Sequence, residues 1–392
     1  MRTRPYPGPV PAEPLTIGLV IDDGLDAPDG VQQYVLTLAR HLAGRGHRVH
    51  LIASTTTRQD LENLHVLGRN LRVRFNGNVL STPLPARAAD VDRLLAEVPF
   101  DVLHVQLPHS PILAGRLVRR APAGVAVVGT FHIFPETRLV AAGTRALGLV
   151  ERGTLRRFDE VVAVSAPAAA FARRAFGVDA KNVGVPIDLD RFVAPPAHGH
   201  RDGPLRVVFL GRLVARKGPR ELVDAAAYVA DHRLTARDWT LTLAGTGPLR
   251  DELRRRIEDA HLEGRVDLPG FVAEDAKAAL LGGADLVVLP STGGESFGVS
   301  VIEAMAAGGG PVIAGDNPGY CSTLAGLEEQ LVDPRDRVEF GRALARWIVD
   351  DEARTAATAR QRAAVRRFDA TTVVDEVEAT YRRALARRPR HH

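Results

Sequence analysis

The sequence predicts an α/β protein built as two doubly wound domains, and three observations predict it. Apolar stretches of strand length alternate with helical periodicities along most of the chain. That alternation starts twice, at Leu15 and again at Leu205. Between the two series lies DLDRFVAPPAHGHRDG, residues 188–203, whose Pro, Gly and His content reads as a linker. A chain of 392 residues has room for two or three domains at roughly 150 residues each.

The first series opens with LTIGLVI, residues 15–21, a buried strand. A polar, Gly-containing loop follows, then a helix over about 31–43, with Val31, Tyr34, Val35, Leu38 and Leu42 at helical spacing. Gly44 and Gly46 stop it, and RVHLIA from Arg48 is the next strand. Such a strand-helix-strand unit takes a right-handed crossover. Further strands are expected over 102–106, 125–130 and 161–165. The second series repeats the plan. LRVVFL (205–210) is a strand, 211–218 a loop, 221–230 a helix and WTLTLA (239–244) a strand, with others over 265–268, 286–290 and 311–314. Residues 333–388 read as mostly helical. The expected layout is an arm over 1–14, Rossmann-like domains over 15–190 and 205–365, a linker over 191–204, a helix over 366–388 crossing back to the first domain, and a tail over 389–392. Ligands of open α/β sheets bind beyond the carboxyl ends of the strands, so two such domains would face a common cleft.

Composition excludes several classes. Hydrophobic residues at 45% and charged residues at 25% are ordinary for a globular chain, which argues against disorder, collagen or coiled coil. No apolar run reaches the roughly 18 residues of a membrane-spanning helix, and residues 1–14 lack a signal peptide's apolar core. One cysteine, Cys321, leaves no internal disulfide or cysteine-rich zinc site. The expected location is therefore the cytoplasm. Basic residues are almost all Arg, with only Lys181, Lys217 and Lys277 as lysines; the Arg pairs read as solvated helix faces. Aromatics at 5% and no aromatic-basic module argue against nucleic acid as a partner.

The strongest chemical signal is GGESFGVSVIEAMAAG, residues 293–308, after the strand that ends at Pro290. A helix is expected from Ser296 or Phe297, whose amino end would favour an anion. Counted at helical pitch, Glu295 and Glu303 fall about 80° apart, on one broad side. Carboxylates suit acceptance of hydroxyl hydrogen bonds from sugar and ribose. A helix cap at Glu295 and an ion pair at Glu303 account equally well for the spacing alone. The second signal is FLGRLVARKG, residues 209–218, where Arg212 and Lys217 beside a Gly-rich turn could neutralise a pyrophosphate. Two solvent-facing cations are the simpler alternative. The third is APDGVQ, residues 27–32, in which Asp29 and Gln32 form a capping box and Gly30 leaves room at the helix start. The fourth is GTFHIF, where His132 directly follows a strand; a lone histidine there is either packed or a sugar ligand. Asp90-Val91-Asp92 and Asp188-Leu189-Asp190 have the form of metal-binding carboxylate pairs, but one falls in a helix and one in the linker, so no metal site is assigned.

These motifs, in this order, resemble the family 4 retaining glycosyltransferases of GT-B fold over residues 15–385. The resemblance implies that Glu295 contacts donor-sugar hydroxyls and Glu303 the nucleotide ribose. It places Gly294, Ser296, Phe297 and Gly298 around the donor, Gly211, Arg212 and Lys217 at the diphosphate, and His132 near the hexose. Phe271 and Val272 would frame the base, and Gly245 of AGTG would line the same turn. Catalytic roles are thereby implied for Glu295, His132, Arg212 and Lys217. The reaction implied is transfer of a hexose to an acceptor hydroxyl with retention, without a metal or other cofactor. A nucleotide-sugar epimerase, a phosphorylase and a non-catalytic nucleotide-sugar sensor are the readings of other classes. A phosphorylase would need a lysine for pyridoxal phosphate, and the second domain offers only Lys217 and Lys277.

Within the family, DAPDGVQQYV, RFNGNVLSTP, FDVLHVQLPHSP and GTFH resemble the bacterial phosphatidylinositol mannosyltransferases. That implies GDP-mannose as donor, a phosphoinositide or other glycolipid as acceptor, and Asp29, Gly30, Gln32, Asn76 and His109 as acceptor contacts. A UDP-sugar with a soluble acceptor is the alternative. Three features depart from that subgroup. Asp29 replaces a glycine, no basic residue follows Asn76 until Arg87, and residues 88–97 are acidic where the subgroup carries a basic membrane-binding cluster. The one basic amphipathic stretch is residues 138–157, which reads either as a packed helix or as a peripheral contact with the inner membrane face.

Overall fold

The computed structural model describes residues 13–26, 30–75, 78–84, 86–132, 151–192 and 203–388, with the side chains of 69–75 and 78–84 outside the description. The chain divides into two compact units, one of residues 1–187 with 370–392 and one of residues 188–369.

The first unit contains a seven-stranded sheet. Its strands in chain order are β1 (Thr16–Ile21), β2 (Arg48–Ala53), β3 (Leu64–Val66), then, after a β4–β5 hairpin (Arg69–Phe75, Asn78–Leu84), β6 (Val102–Gln106), β7 (Ala126–Phe131), β8 (Glu160–Ala163) and β9 (Lys181–Asn182). They lie in the spatial order β3-β2-β1-β6-β7-β8-β9 and all pair in parallel. The central strands are mostly apolar because both faces are covered, with His104 and Gln106 of β6 and Thr130 of β7 as buried polar exceptions. Gly18 lets β1 pack closely, since a Cβ there would lie 2.8 Å from Leu103 Cδ2. The helices are α1 (Gly30–Gly44), α2 (Ala88–Glu97), α3 (Leu113–Arg120), α4 (Arg152–Leu155) and α5 (Ala166–Phe176). Tyr34, Val35, Leu38 and Leu42 of α1 are buried, as their spacing requires.

The second unit carries a six-stranded sheet of β10 (Leu205–Leu210), β11 (Trp239–Ala244), β12 (Val266–Gly270), β13 (Leu286–Leu289), β14 (Val312–Gly315) and β15 (Leu331–Val332). The order is β12-β11-β10-β13-β14-β15, again all parallel. Its helices are α6 (Pro219–Asp231), α7 (Arg250–Asp259), α8 (Glu274–Gly282), α9 (Val299–Ala307), α10 (Pro318–Thr323), α11 (Arg337–Val349) and α12 (Asp351–Ala364). One core joins Phe209, Leu222, Leu241, Leu243, Leu253, Val288, Phe340 and Trp347. The last helix, α13 (Ala370–Ala386), returns to the first unit. Val373, Val374, Val377, Tyr381 and Ala384 form its buried stripe. Its polar side is tied down by Glu378 on Arg45 and His47 and by Glu376 on Lys181, and just past its end Arg388 pairs with Asp159.

Two local readings change. The segment 188–203 does not open as a bare linker: Leu189–Arg191 is a helical turn, and Leu189 and Phe192 are buried. The helix expected from Ser296 or Phe297 begins at Val299. Gly298, at φ 100°, takes a left-handed backbone that interrupts the helix there.

Candidate functional site

In each sheet the chain departs from its first strand in both directions, so a crevice is expected beyond the carboxyl ends where the order reverses. In the second unit that point lies between β10 and β13, and the loops after these two strands are 211–218 and 290–298. They are stitched together. The Thr292 amide donates to the Arg216 carbonyl at 2.9 Å, and the Ser291 hydroxyl donates to the same oxygen at 2.7 Å. Gly218 sits at φ 73° against the Pro290 carbonyl, where a Cβ would come within 1.9 Å. From the far side Gly319 presses on the Glu295 backbone, and Asn317 Nδ2 donates to the Ser291 carbonyl.

This frame gathers charge on one carboxylate. Glu295 Oε1 receives Lys217 Nζ at 2.7 Å and Arg216 Nη1 at 2.8 Å. Glu295 is buried, and the site therefore holds two cations on one acid. Burial holds the Lys217 ammonium below its ordinary pKa, Glu295 opposes that shift, and Arg216 and Arg212 add to it. Arg212 is exposed beside this cluster. Such a set can exchange an internal carboxylate for an incoming diphosphate.

Glu295 is thus in a loop and not on the helix, so the helical-wheel angle relating it to Glu303 does not apply. The reason is the left-handed Gly298, whose Cβ position is occupied by the Tyr320 ring at 2.7 Å. Ser296 and Phe297 belong to the same loop, and Gly294 enters it at φ 68°. Glu303, inside α9, is buried. Burial pushes its carboxyl up to about 7; Lys277, 3.7 Å away, opposes the rise and Glu274 adds to it. Gly211 and Gly245 meet back to back, a Cβ on Gly245 lying 1.8 Å from the Gly211 carbonyl. Phe271 follows β12 with 75% of its surface exposed, an unusual state for a large apolar ring, and Val272 is half-buried.

The first unit reverses between β1 and β6. Asp29 and Asn76 lie outside the described residues, as does 138–150 of the basic stretch. Gly30 is the first residue of α1, and a Cβ there would meet nothing within 4 Å. Gln32 is buried in the same turn. His109, after β6, is stacked between Phe131 and Phe176 with centroids 5.6 and 5.0 Å away. Burial lowers its pKa to about 4, and its Nδ1 has no hydrogen-bond partner. Leu107 beside it takes φ 57°, rare for a branched residue. His132 is buried, with Nε2 2.7 Å from Gln106 Oε1. Burial, with His104 nearby, pushes it down to about 3, so the ring is neutral at any working pH. Gln106 Nε2 is buried without a partner.

The residue that sequence reasoning missed is Arg216. It stands next to Lys217 in ARKG, and only the turn Ala215–Lys217 shows that both cations reach Glu295. Asp90 and Asp92 pair with Arg93 and Arg120. Among the described residues no three His, Cys, Asp or Glu side chains cluster as metal ligands, and no helix is long and apolar enough to cross a membrane.

Comparison with known proteins follows the same division. The family model described as Glycosyltransferase Family 4 matches residues 28–191, and Glycosyl transferases group 1 matches residues 190–364. The chain is 34% identical over 379 residues to the phosphatidyl-myo-inositol mannosyltransferase of Mycolicibacterium smegmatis, covering 94% of this chain and 93% of that one. It is 29% identical over 358 residues to the 2-deoxystreptamine glucosyltransferase of Streptomyces kanamyceticus, covering 82% and 90%. Among solved structures, Anabaena Alr3699/HepE in complex with UDP matches with a TM-score of 0.74 at 20% identity, over 93% of this chain and 99% of that one. A glycosyltransferase from Rickettsia africae matches with a TM-score of 0.72 at 18% identity, over 96% and 100%.

Proposed function

This chain belongs to glycosyltransferase family 4 and is a hexosyltransferase, and from that premise we propose that it moves mannose from GDP-mannose to a phosphoinositide hydroxyl. The observation that carries the diphosphate-sugar donor is the shared Glu295 carboxylate, with Lys217 and Arg216 on it and Arg212 alongside. A donor diphosphate takes over the cations, and the released Glu295 turns to the sugar hydroxyls. Glu303 takes the ribose, and the exposed Phe271 ring with Val272 takes the base. Gly211, Gly245, Gly294, Ser296, Phe297 and Gly298 supply backbone around them.

The acceptor hydroxyl attacks from the leaving-group face, and the departing phosphate takes its proton, so retention needs no protein nucleophile. Cations stabilise the leaving diphosphate, which is the role a divalent ion would otherwise fill. His132, neutral, hydrogen-bonds the hexose. Gly30, Gln32 and His109, with Asp29 and Asn76, hold the acceptor. Mannose and inositol lipid are supported by the likeness, over most of both chains, to the mycobacterial enzyme. A second reading has its own observation: α2 carries Asp90, Asp92 and Glu97, the first two paired with Arg93 and Arg120, and so lacks the basic surplus that anionic lipid attracts. That favours a soluble acceptor, as with the aminocyclitol enzyme it also matches.

The test is calorimetric binding of GDP-mannose, UDP-glucose, UDP-N-acetylglucosamine and UDP-galactose without metal, followed by turnover on phosphatidylinositol vesicles with EDTA present. GDP-mannose alone should bind, and turnover should survive the chelator. Binding of a UDP-sugar instead moves the donor and turns the acceptor search to soluble sugars. Wild-type turnover in Glu295→Gln and Arg212→Ala would remove the site assignment.

A further inference from the structure

Behind His132 the first unit buries a file of polar side chains. His104 and Gln106 of β6, Thr130 of β7, Tyr34 of α1 and Tyr381 of α13 are all nearly inaccessible. Gln106 is the register partner of Thr130, and alternate residues of a strand share a face, so the groups on the two strands lie together. The Tyr381 hydroxyl is 2.7 Å from His104 Nδ1, and His104 Nε2 is 2.6 Å from Thr130 Oγ1. Thr130 also faces the Tyr34 hydroxyl and opposes the rise that burial gives its pKa. The Tyr34 ring then stands edge-on to His132, with centroids 4.8 Å apart and planes at 85°.

Both ring nitrogens of His104 are therefore engaged, and the ring cannot turn without stranding one of them. The run Tyr381–His104–Thr130 is paired at each link, and such a run resists rotation because turning the ring strands a buried group. We infer that Tyr381, from the last helix of the chain, is a positioning residue for His132, acting through His104, Thr130 and the Tyr34 ring. The inference rests on the assignment of His132 to the transferred hexose. It makes α13 part of the reaction geometry as well as of the fold, although α13 itself is the most distant element in sequence from α1.

The experiment compares Tyr381→Phe, His132→Ala and the double variant in the full-length enzyme. GDP release from GDP-mannose over phosphatidylinositol vesicles gives kcat and KM, and imidazole 15N NMR reads the His132 ring directly. Tyr381→Phe should lower kcat roughly ten-fold or more, the scale of a misplaced reacting group, with donor KM unchanged. It should shift the His132 resonances and add nothing further in the His132→Ala background. Glu376→Gln, which removes only a surface tie of the same helix, should leave kcat alone. If Tyr381→Phe does not fold, Thr130→Val cuts the same chain and should give the same loss. Unchanged His132 resonances, or a full additional loss in the double variant, overturns the positioning role. Wild-type turnover in His132→Ala alone overturns the hexose assignment and the inference with it.

Discussion

Glu303 sits inside α9 with its carboxyl raised to about 7 by burial, against the pull of Lys277. The sign follows from linkage. Between the ordinary carboxyl range and about pH 7 the folded state holds a proton that the unfolded state has released, so stability falls as pH rises through that window. Glu303→Gln should thus stabilise the protein at pH 8, by roughly 1–3 kcal/mol, and have little effect near pH 4. Denaturant melts at the two pH values check this. A ribose diol donates to the ionised form, so GDP-mannose binding at pH 6 should release up to about one proton. Calorimetry in buffers of different ionisation enthalpy reads that release, and its absence would detach Glu303 from the ribose. The carboxylate itself was legible in GGESFGVSVIEAMAAG. Its titration was not, because burial by α8 and the position of Lys277 are tertiary facts. Arg216 was equally hidden, since three cations in one short loop do not reveal which of them turn inward.

At the scale of elements, the loops after β10 and β13 are held by backbone approaches that only glycine permits. A Cβ on Gly218 would overlap the Pro290 carbonyl, and one on Gly298 would enter the Tyr320 ring from a left-handed backbone. Gly218→Ala and Gly298→Ala should each lose about 1–3 kcal/mol of stability and weaken GDP-mannose binding, as melting and calorimetry would report. Gly30 is the contrasting case. Its Cβ position is empty and it starts a helix, so Gly30→Ala should leave the melting temperature nearly unchanged. If Gly30 leaves room for the acceptor, that variant raises the acceptor KM and not the donor KM. The inner strands of both sheets were legible as apolar runs, whereas the short strands β3, β9 and β15 and the β4–β5 hairpin were not, because they carry no such run. The start of α9 was not legible either. Ser296 and Phe297 have nothing against a helix; Gly298 takes a left-handed backbone, and the Tyr320 ring of α10 fills the space where a side chain there would sit.

Across the whole molecule the chain runs out and back, and this decides which pieces can stand alone. Residues 188–369 form one continuous unit with its own sheet and core. The first unit is discontinuous, and α13 supplies Val373, Val374, Val377, Tyr381 and Ala384 to its interior. The helical spacing of these residues is visible in the sequence, but spacing does not say which sheet they cover. A fragment of residues 188–369 should therefore fold cooperatively and bind GDP-mannose with the pH dependence set by Glu303. A fragment ending at Ile187 should expose the apolar surface that α13 covers, together with Arg45, His47 and Lys181 stripped of their carboxylates. It should aggregate or melt far below the full chain. Adding residues 370–388 in trans, or joining them to Ile187 by a short flexible linker, should restore cooperative melting. The Ala370 amide already bonds the Ile187 carbonyl at 2.9 Å, so the join spans almost no distance. Rescue by a helix carrying Tyr381→Phe should be weaker than by the native helix, since it leaves His104 Nδ1 buried and unpaired. Equal rescue would mean that the apolar stripe alone closes the first unit.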